Sequence, residues 1–282
     1  MRTVVLTAAA LVAFASNSLL CRMALGGATI DAASFSTIRL IAGACCLGLI
    51  AMVTRRATPC VQGSWLSATI LFLYAIPFSY AYGLLTVGTG ALILFGSVQV
   101  TMVVVALAQG ERLHVRQWLG LVLAIAGLVY LLLPGLAAPS PFGATLMAMA
   151  GIGWAIYSLR GRGAVDPLAQ NAGNFVRSLP MTLAVSVAAT SFRHVEASGA
   201  MLAAVSGAVT SGLGYVVWYA ALRGLTTTSA ALVQLLVPVI TVAGGLVVLG
   251  EPLTMRLVLS AAIVIGGIAL ALTGLSGERV LN

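Results

Sequence analysis

The sequence predicts an all-α integral membrane protein of ten transmembrane helices, arranged as two inverted five-helix repeats. Three observations carry that prediction. Hydrophobic residues fill 61% of the 282 positions and charged residues 7%, with a mean hydropathy of +1.11, whereas soluble domains carry about 25% charged residues. Breaking the chain at its Arg, Asp, Glu and Pro/Gly clusters leaves ten stretches of the roughly 17–25 residues that cross a bilayer core. Finally, the stretch Leu85–Ile125 reads again, without a gap, 140 residues later at Leu225–Ile265.

Taken in order, the spans are about 3–21, 32–53, 64–84, 88–108, 116–134, 142–160, 168–190, 199–221, 227–249 and 256–274. The first starts after Arg2 and carries an Ala13-Phe14-Ala15 site, so by itself it looks like a secretion signal. Its match to 142–162, deep in the chain, predicts a retained helix instead. The connections are short, the longest polar one being Thr54–Gly63, and none can hold a soluble domain.

The repeat shows most clearly in its non-apolar punctuation. Gly110-Glu111-x-Leu113-x-x-Arg116 returns as Gly250-Glu251-x-Leu253-x-x-Arg256. Thr101 falls on Thr241 and Gly127 on Gly267, while Phe14-Ala15, Ser18 and Arg22 face Trp154-Ala155, Ser158 and Arg162. The units are 1–137 and 141–274, together one transmembrane domain. Five spans each means that the second enters from the opposite side, which makes the units inverted. Loop charge gives the orientation. Arg2, Arg55, Arg56, Arg112, Arg116, Arg160, Arg162, Arg223 and Arg279 fall on one side, and Arg22, Arg193 and Arg256 on the other. The positive-inside rule then puts both termini in the cytoplasm of a cell-membrane protein.

Composition excludes several functions. All fourteen basic residues are Arg, so there is no phosphate-loop Lys and no ATP-binding motif in this chain. A net charge of +8 in a chain this apolar does not point to nucleic acid. Cys21, Cys45, Cys46 and Cys60 lack metal-site spacing, and neither a metal nor any other cofactor is implied. No His-Glu-x-x-His, Asp-rich box or acid pair falls in a span, which argues against a membrane-embedded enzyme. Asp31, Glu111, Asp166, Glu196, Glu251 and Glu278 lie at loops or helix ends, and His114 and His194 in loops. An intramembrane proton-relay carboxylate is therefore not expected, and downhill, uncoupled movement is the simplest mechanism.

Ten helices as five plus five, the doubled Gly-Glu-x-Leu-x-x-Arg boundary, and an Arg inside the second helix of each half resemble the EamA type of the drug/metabolite transporter superfamily. The likeness covers essentially the whole chain. The aromatic third and eighth helices most resemble those of the bacterial aromatic amino acid exporters. The resemblance implies export of small zwitterionic metabolites, above all aromatic amino acids, by alternating access. A broad drug or metabolite exporter of the same fold, driven by proton-motive force, is the rival reading.

Candidate binding residues are the rings and amides far from the helix ends: Asn17, Phe78, Tyr82, Gln99, Trp154, Tyr157, Tyr215, Trp218 and Gln234. Spacings of 78/82 and 215/218/219 put rings on one face of each helix. An amide facing lipid leaves donors unsatisfied, so Asn17, Gln99 and Gln234 are expected to face inward. Trp65 and Trp118, beside loops, read as an interfacial belt. Pro77 and Pro238 remove mid-span hydrogen bonds and are candidate hinges. Orientation divides the rings into an outer cluster with Asn17, Phe78 and Tyr82 and an inner one with Trp154, Tyr157, Trp218 and Tyr219, as two gates would be arranged. Arg39 and Arg177 lie roughly 10 Å below opposite faces, at about 1.5 Å per residue. Burying each costs at least ~2.5 kcal/mol. Both bind substrate carboxylate or tie the second helix of each half to a neighbour. With that helix expected at the periphery, the structural role is the expectation.

Overall fold

The chain folds into ten spans, seen in a computed structural model that describes residues 1–54, 62–110, 114–133, 138–234 and 236–273. Cys60, Arg55, Arg56, Glu111, Arg112, Glu278 and Arg279 lie outside these residues. The helices are α1 Arg2–Gly26, α2 Ala32–Val53, α3 Trp65–Tyr82, α4 Val87–Ala108, α5 Val115–Leu132, α6 Pro141–Gly161 and α7 Pro167–Ala188. The eighth span is composite: α8 Ala197–Val205, a π-helical segment Ser206–Leu213, then α9 Gly214–Leu222. The ninth is α10 Thr227–Val233 and α11 Leu236–Leu249, and the tenth is α12 Met255–Thr273.

Side-chain caps satisfy free N–H groups where several of these helices begin. Asp31 accepts from the Ser34 N–H at 2.9 Å, Ser64 from Ser67 at 3.1 Å and Ser140 from Gly143 at 3.2 Å. Thr86 and Thr226, one repeat apart, cap α4 and α10 through Thr89 and Ser229. Asp31 also ties two loops together. Its N–H donates to the His194 carbonyl at 2.8 Å and its carboxylate accepts from the His194 N–H at 3.1 Å. Partial burial raises this carboxyl, but hydrogen bonds from Ser34, His194 and Ala33 outweigh that and hold it below the ordinary carboxylate range.

Eight stretches among the described residues are long and apolar enough to cross a membrane. The seventh span, α7, falls short of that test because Gln170, Asn171, Asn174 and Arg177 interrupt it. Large apolar side chains such as Val115, Leu119, Val122, Val129, Val258 and Leu259 stand exposed on α5 and α12, as the faces of a lipid-embedded protein do. Trp65 and Trp118, beside the loops, are exposed as well.

Neighbours recur in a regular way. The α5 helix packs on α12 and α2 on α7. The pairing of α3 with α6 is matched by that of the composite eighth span with α1, and the pairing of α4 with α6 by that of α11 with α1. Two punctuating glycines make one of these contacts possible. A Cβ at Gly127 would stand 3.1 Å from the Ser260 carbonyl, and one at Gly267 would stand 2.6 Å from that of Gly120. Small residues of this kind let membrane helices approach closely.

The repeated arginines cross-link the two ends of the bundle. Where α1 finishes, Arg22 pairs with Glu251 at 2.7 Å and donates to the Tyr82 carbonyl at 3.0 Å. The other Glu251 oxygen accepts from the Val87 N–H at 2.7 Å, so one carboxylate pins α1 to the start of α4. Near the opposite end Arg162, the counterpart of Arg22, donates to the Leu225 carbonyl at 2.7 Å and to the Thr227 hydroxyl. The other described carboxylates, Asp31, Asp166 and Glu196, stand at helix starts.

Candidate functional site: a column of rings around a buried arginine

The inner faces of α1, α3, α6 and α9 bring their aromatic residues together along the bundle's core. From Tyr82 the ring contacts run to Phe78 (4.8 Å between centroids), then Tyr74 (5.3 Å) and Trp154 (5.3 Å). Trp154 meets Tyr215 at 4.6 Å and Tyr157 at 6.1 Å, and Tyr157 meets Tyr219 at 5.6 Å. Phe14 joins the column edge-on, 5.0 Å from Trp154 and 5.6 Å from Trp218. Edge-to-face and tilted contacts at these distances are favourable beyond area burial, by about 0.5–1.5 kcal/mol each.

The outer and inner groups of rings are joined through Tyr74 into one continuous column. Tyr74 and Phe14 bridge the middle, since each is a turn or less from a residue already singled out (Phe78 and Asn17). Phe14 and Asn17 are three apart on α1, and Tyr74 and Phe78 four apart on α3, which places each pair on one helical face. That spacing was the available signal for both.

Several polar tips along the column find partners inside the protein, while the Tyr82 hydroxyl is buried without one among the described residues. Trp154 Nε1 donates to Gln234 Oε1 at 2.7 Å, and Trp218 Nε1 to Ser158 at 3.2 Å. Tyr157 donates to Asn171 at 2.8 Å and accepts from Asn174 at 3.3 Å. Gln99 is buried one turn beyond Leu94 and Phe95 on α4, with its Oε1 lacking a partner among the described residues. Neither a ring contact nor a hydrogen bond joins it to the column there.

The π-helical segment supplies three further polar groups. Ser206, Thr210 and Ser211 all donate to Asn17 Oδ1, at 2.7, 3.1 and 3.3 Å. Their spacing as a polar stripe in an apolar span was the only sequence signal. A helix widened at this point turns Ser211 toward α1 and α2 together, and single-turn π segments recur at functional sites. The backbones of α2 and the segment nearly touch: a Cβ at Gly207 would lie 1.9 Å from the Arg39 carbonyl oxygen.

This close approach carries Arg39 into the centre. Its Nε donates to Ser211 at 2.9 Å, and its Nη2 donates to Tyr215 at 2.8 Å and Tyr74 at 3.1 Å. The guanidinium also lies 4.9 Å from the Phe78 centroid and 5.3 Å from that of Tyr74. The expectation of a peripheral second helix is corrected. Sequence spacing gives the depth of Arg39 but not its face, and α2 is apolar nearly all round. Arg177 does tie its helix to a neighbour, reaching the Gln62 carbonyl at 2.5 Å and the Gly173 carbonyl at 3.2 Å.

The candidate hinges behave differently from one another. Pro77 sits buried in an unbroken α3, whereas the ninth span breaks at Gln234, four residues before Pro238. Pro238 cannot donate to the Gln234 carbonyl, and the Val237 N–H takes that place at 3.0 Å. Amid the rings lies a cavity of about 10 Å³, lined by residues that include Asn17, Tyr74, Phe78 and Trp154. That is room for one water at most.

The same protein-family match now appears twice along the chain: the EamA-like transporter family covers residues 1–133 and again 141–273. The chain belongs to the EamA-like transporter family. An uncharacterised protein of Pseudomonas aeruginosa is 49% identical over 271 residues, covering 96% of this chain and 94% of that protein. An uncharacterised Bacillus subtilis transporter, YoaV, is 25% identical over 253 residues, covering 83% of this chain and 85% of its own. A solved crystal structure superposes with a TM-score of 0.69 at 16% identity, covering 95% and 96% of the two chains. At that identity the likeness shows the fold alone. As an EamA-like transporter, this protein is a multi-pass membrane protein that moves solutes, and its column of rings is the candidate route.

Proposed function

We propose that this EamA-like transporter exports small zwitterionic metabolites, above all aromatic amino acids, from the cytoplasm across the bacterial inner membrane by alternating access. The observation that carries the reading is the continuous column of rings from Tyr82 to Tyr219. Stacking and apolar contact with these rings select the side chain, and buried polar groups hold the charged end. Because the central cavity is about 10 Å³, Phe78 and Trp154 must part for substrate to enter.

Several features support two inverted units, 1–137 and 141–274, exchanging conformations around one site. The family matches each half of the chain, helix neighbours recur with an offset of five, and Arg22 and Arg162 brace opposite ends. With both termini cytoplasmic, Tyr82 lies at the outer end and Tyr219 at the inner end.

None of Asp31, Asp166, Glu196 or Glu251 lies inside a helix, so the mechanism we favour is uncoupled. In liposomes containing purified protein, labelled phenylalanine, tyrosine and tryptophan should equilibrate across the membrane, and flux should persist when the pH gradient is collapsed. A strict need for an imposed proton gradient would favour the proton-driven broad exporter. The absence of aromatic amino acid flux from a protein that moves other solutes would overturn the substrate assignment.

A further inference from the structure

We infer that Arg39 is the binding site for the carboxylate of an organic substrate, and that it holds the charged end while the rings hold the rest. This deepens the transport reading above and rests on it.

The first observation is an uncompensated charge. Arg39 is 1% exposed, on a helix inside the membrane. The ion pairs among the described residues join Arg22 to Glu251 and His194 to Glu196, and Arg39 belongs to neither. A guanidinium carries five N–H donors. Ser211, Tyr74 and Tyr215 take up three, while Nη1 is buried without a partner. Leaving a charge in this condition is costly unless an opposite charge arrives.

The second observation is an excess of donors over acceptors around it. The Tyr74 phenolic oxygen receives Arg39 Nη2 at 3.1 Å, Tyr215 O–H at 3.2 Å and a long contact from Asn17 Nδ2 at 3.5 Å. Asn17 Oδ1, the nearest amide acceptor, is already taken by three hydroxyls. Three donors converge on one hydroxyl oxygen. The deficit is of negatively charged oxygen, which a carboxylate supplies.

The third is position. Tyr74 and Phe78, whose rings flank the guanidinium, also line the central cavity, as does Asn17. When those rings part, a carboxylate entering the cavity takes up the Nη1 donors and displaces a tyrosine hydroxyl from Nη2. Its side chain is then left among Phe14, Trp154 and Trp218. Gln234 and Asn17 are poorer candidates for this task, because the first is held by Trp154 and the second by the π-helical segment.

The test uses matched pairs that differ in one charge: phenylalanine and phenylalaninamide, leucine and leucinamide, benzoate and benzamide. Competition for binding to the purified full-length protein should favour the carboxylate of at least one pair by about tenfold or more, the gain of a charge-assisted hydrogen bond over a neutral one. Arg39→Gln, checked for folding by its elution and melting, should bring the two members within about threefold. A folded Arg39→Gln that keeps the wild-type preference would overturn the assignment, as would wild-type protein with no preference in any pair. Wild-type protein gives an independent arm that requires no variant. Phenylglyoxal should modify Arg39, read by mass spectrometry, and the favoured carboxylate should protect it while the amide does not. Absence of modification under every condition, or equal protection by both members, also overturns the proposal. Preference confined to the leucine pair would sink the aromatic substrate reading and leave the Arg39 site standing.

Discussion

Arg39 and Arg177 stand on the second helix of each half of the chain, and their surroundings have little in common. Arg177, midway along α7, reaches the carbonyls of Gly173 on its own helix and of Gln62 in the α2–α3 connection. Backbone carbonyls there accept from a guanidinium that keeps some exposure, and these bonds join helix to loop. Arg39 is enclosed by hydroxyls and ring faces, and its Nη1 has no partner. The lesson is that depth in the membrane does not make an arginine functional. What distinguishes the two is whether the fold supplies enough acceptors to settle the charge.

The strongest test of that difference is the pair of substitutions to glutamine. Arg39→Gln should lower flux of carboxylate substrates in liposomes by about tenfold or more. Arg177→Gln should lower the yield of folded protein and leave preference among substrates unchanged. If Arg177→Gln alters preference as much as Arg39→Gln does, the contrast between the two sites fails.

A second, smaller effect comes from the glycines that set each arginine's surroundings. Gly207→Ala pushes a Cβ against the Arg39 carbonyl at 1.9 Å. It should cost about 1–3 kcal/mol or more in stability through overpacking and alter preference as well, because it moves Ser211 relative to Arg39. Gly63 has φ +86°, and its Cβ would meet Asn174 Oδ1 at 2.6 Å. Gly63→Ala, near Arg177, should lower the melting temperature and change preference less than Gly207→Ala does. Equal changes in preference for both would mean that neither arginine is specially placed.

The spans themselves were legible in the sequence. The stretch 32–53 is α2 to the residue, and 88–108 differs from α4 by one, because charges, prolines and glycines bound each apolar run. The rings of the column were legible one helix at a time. Their union was not, since Tyr74 meets Tyr215 only because α3 and the eighth span both pack on α1 and α2. The π-helical segment left only a polar stripe as its local signature, because Ser206, Thr210 and Ser211 are held by Asn17 from 189, 193 and 194 residues away. Arg39 was misplaced for the same reason. A helix apolar nearly all round does not reveal which face turns inward.

The smallest expected effect concerns how the two helices begin. Asp31 caps the helix of Arg39 and binds the His194 N–H, and these hydrogen bonds hold its carboxyl below the ordinary range. A lowered carboxyl stabilises the fold above about pH 4, where the unfolded group is ionised, and that contribution is lost as pH falls through the folded value. The melting deficit of Asp31→Asn should therefore be constant from neutral pH to about 5 and shrink below about 4. A deficit unchanged at about pH 3 would mean that charge has no part in this cap.

If the column of rings is the route, it opens from one end at a time. Single cysteines at positions 78 and 218, in a background with Cys21, Cys45, Cys46 and Cys60 replaced by serine, test it most directly. Both native side chains are buried, Phe78 toward the end where α1 finishes and Trp218 toward the opposite end. A membrane-impermeant thiol reagent added outside liposomes of known orientation should reach position 78 when the outer end opens, and reach position 218 poorly. Substrate should change both reactivities, because it shifts the population between states. Equal labelling of the two positions from one side, with substrate altering neither, would contradict the claim.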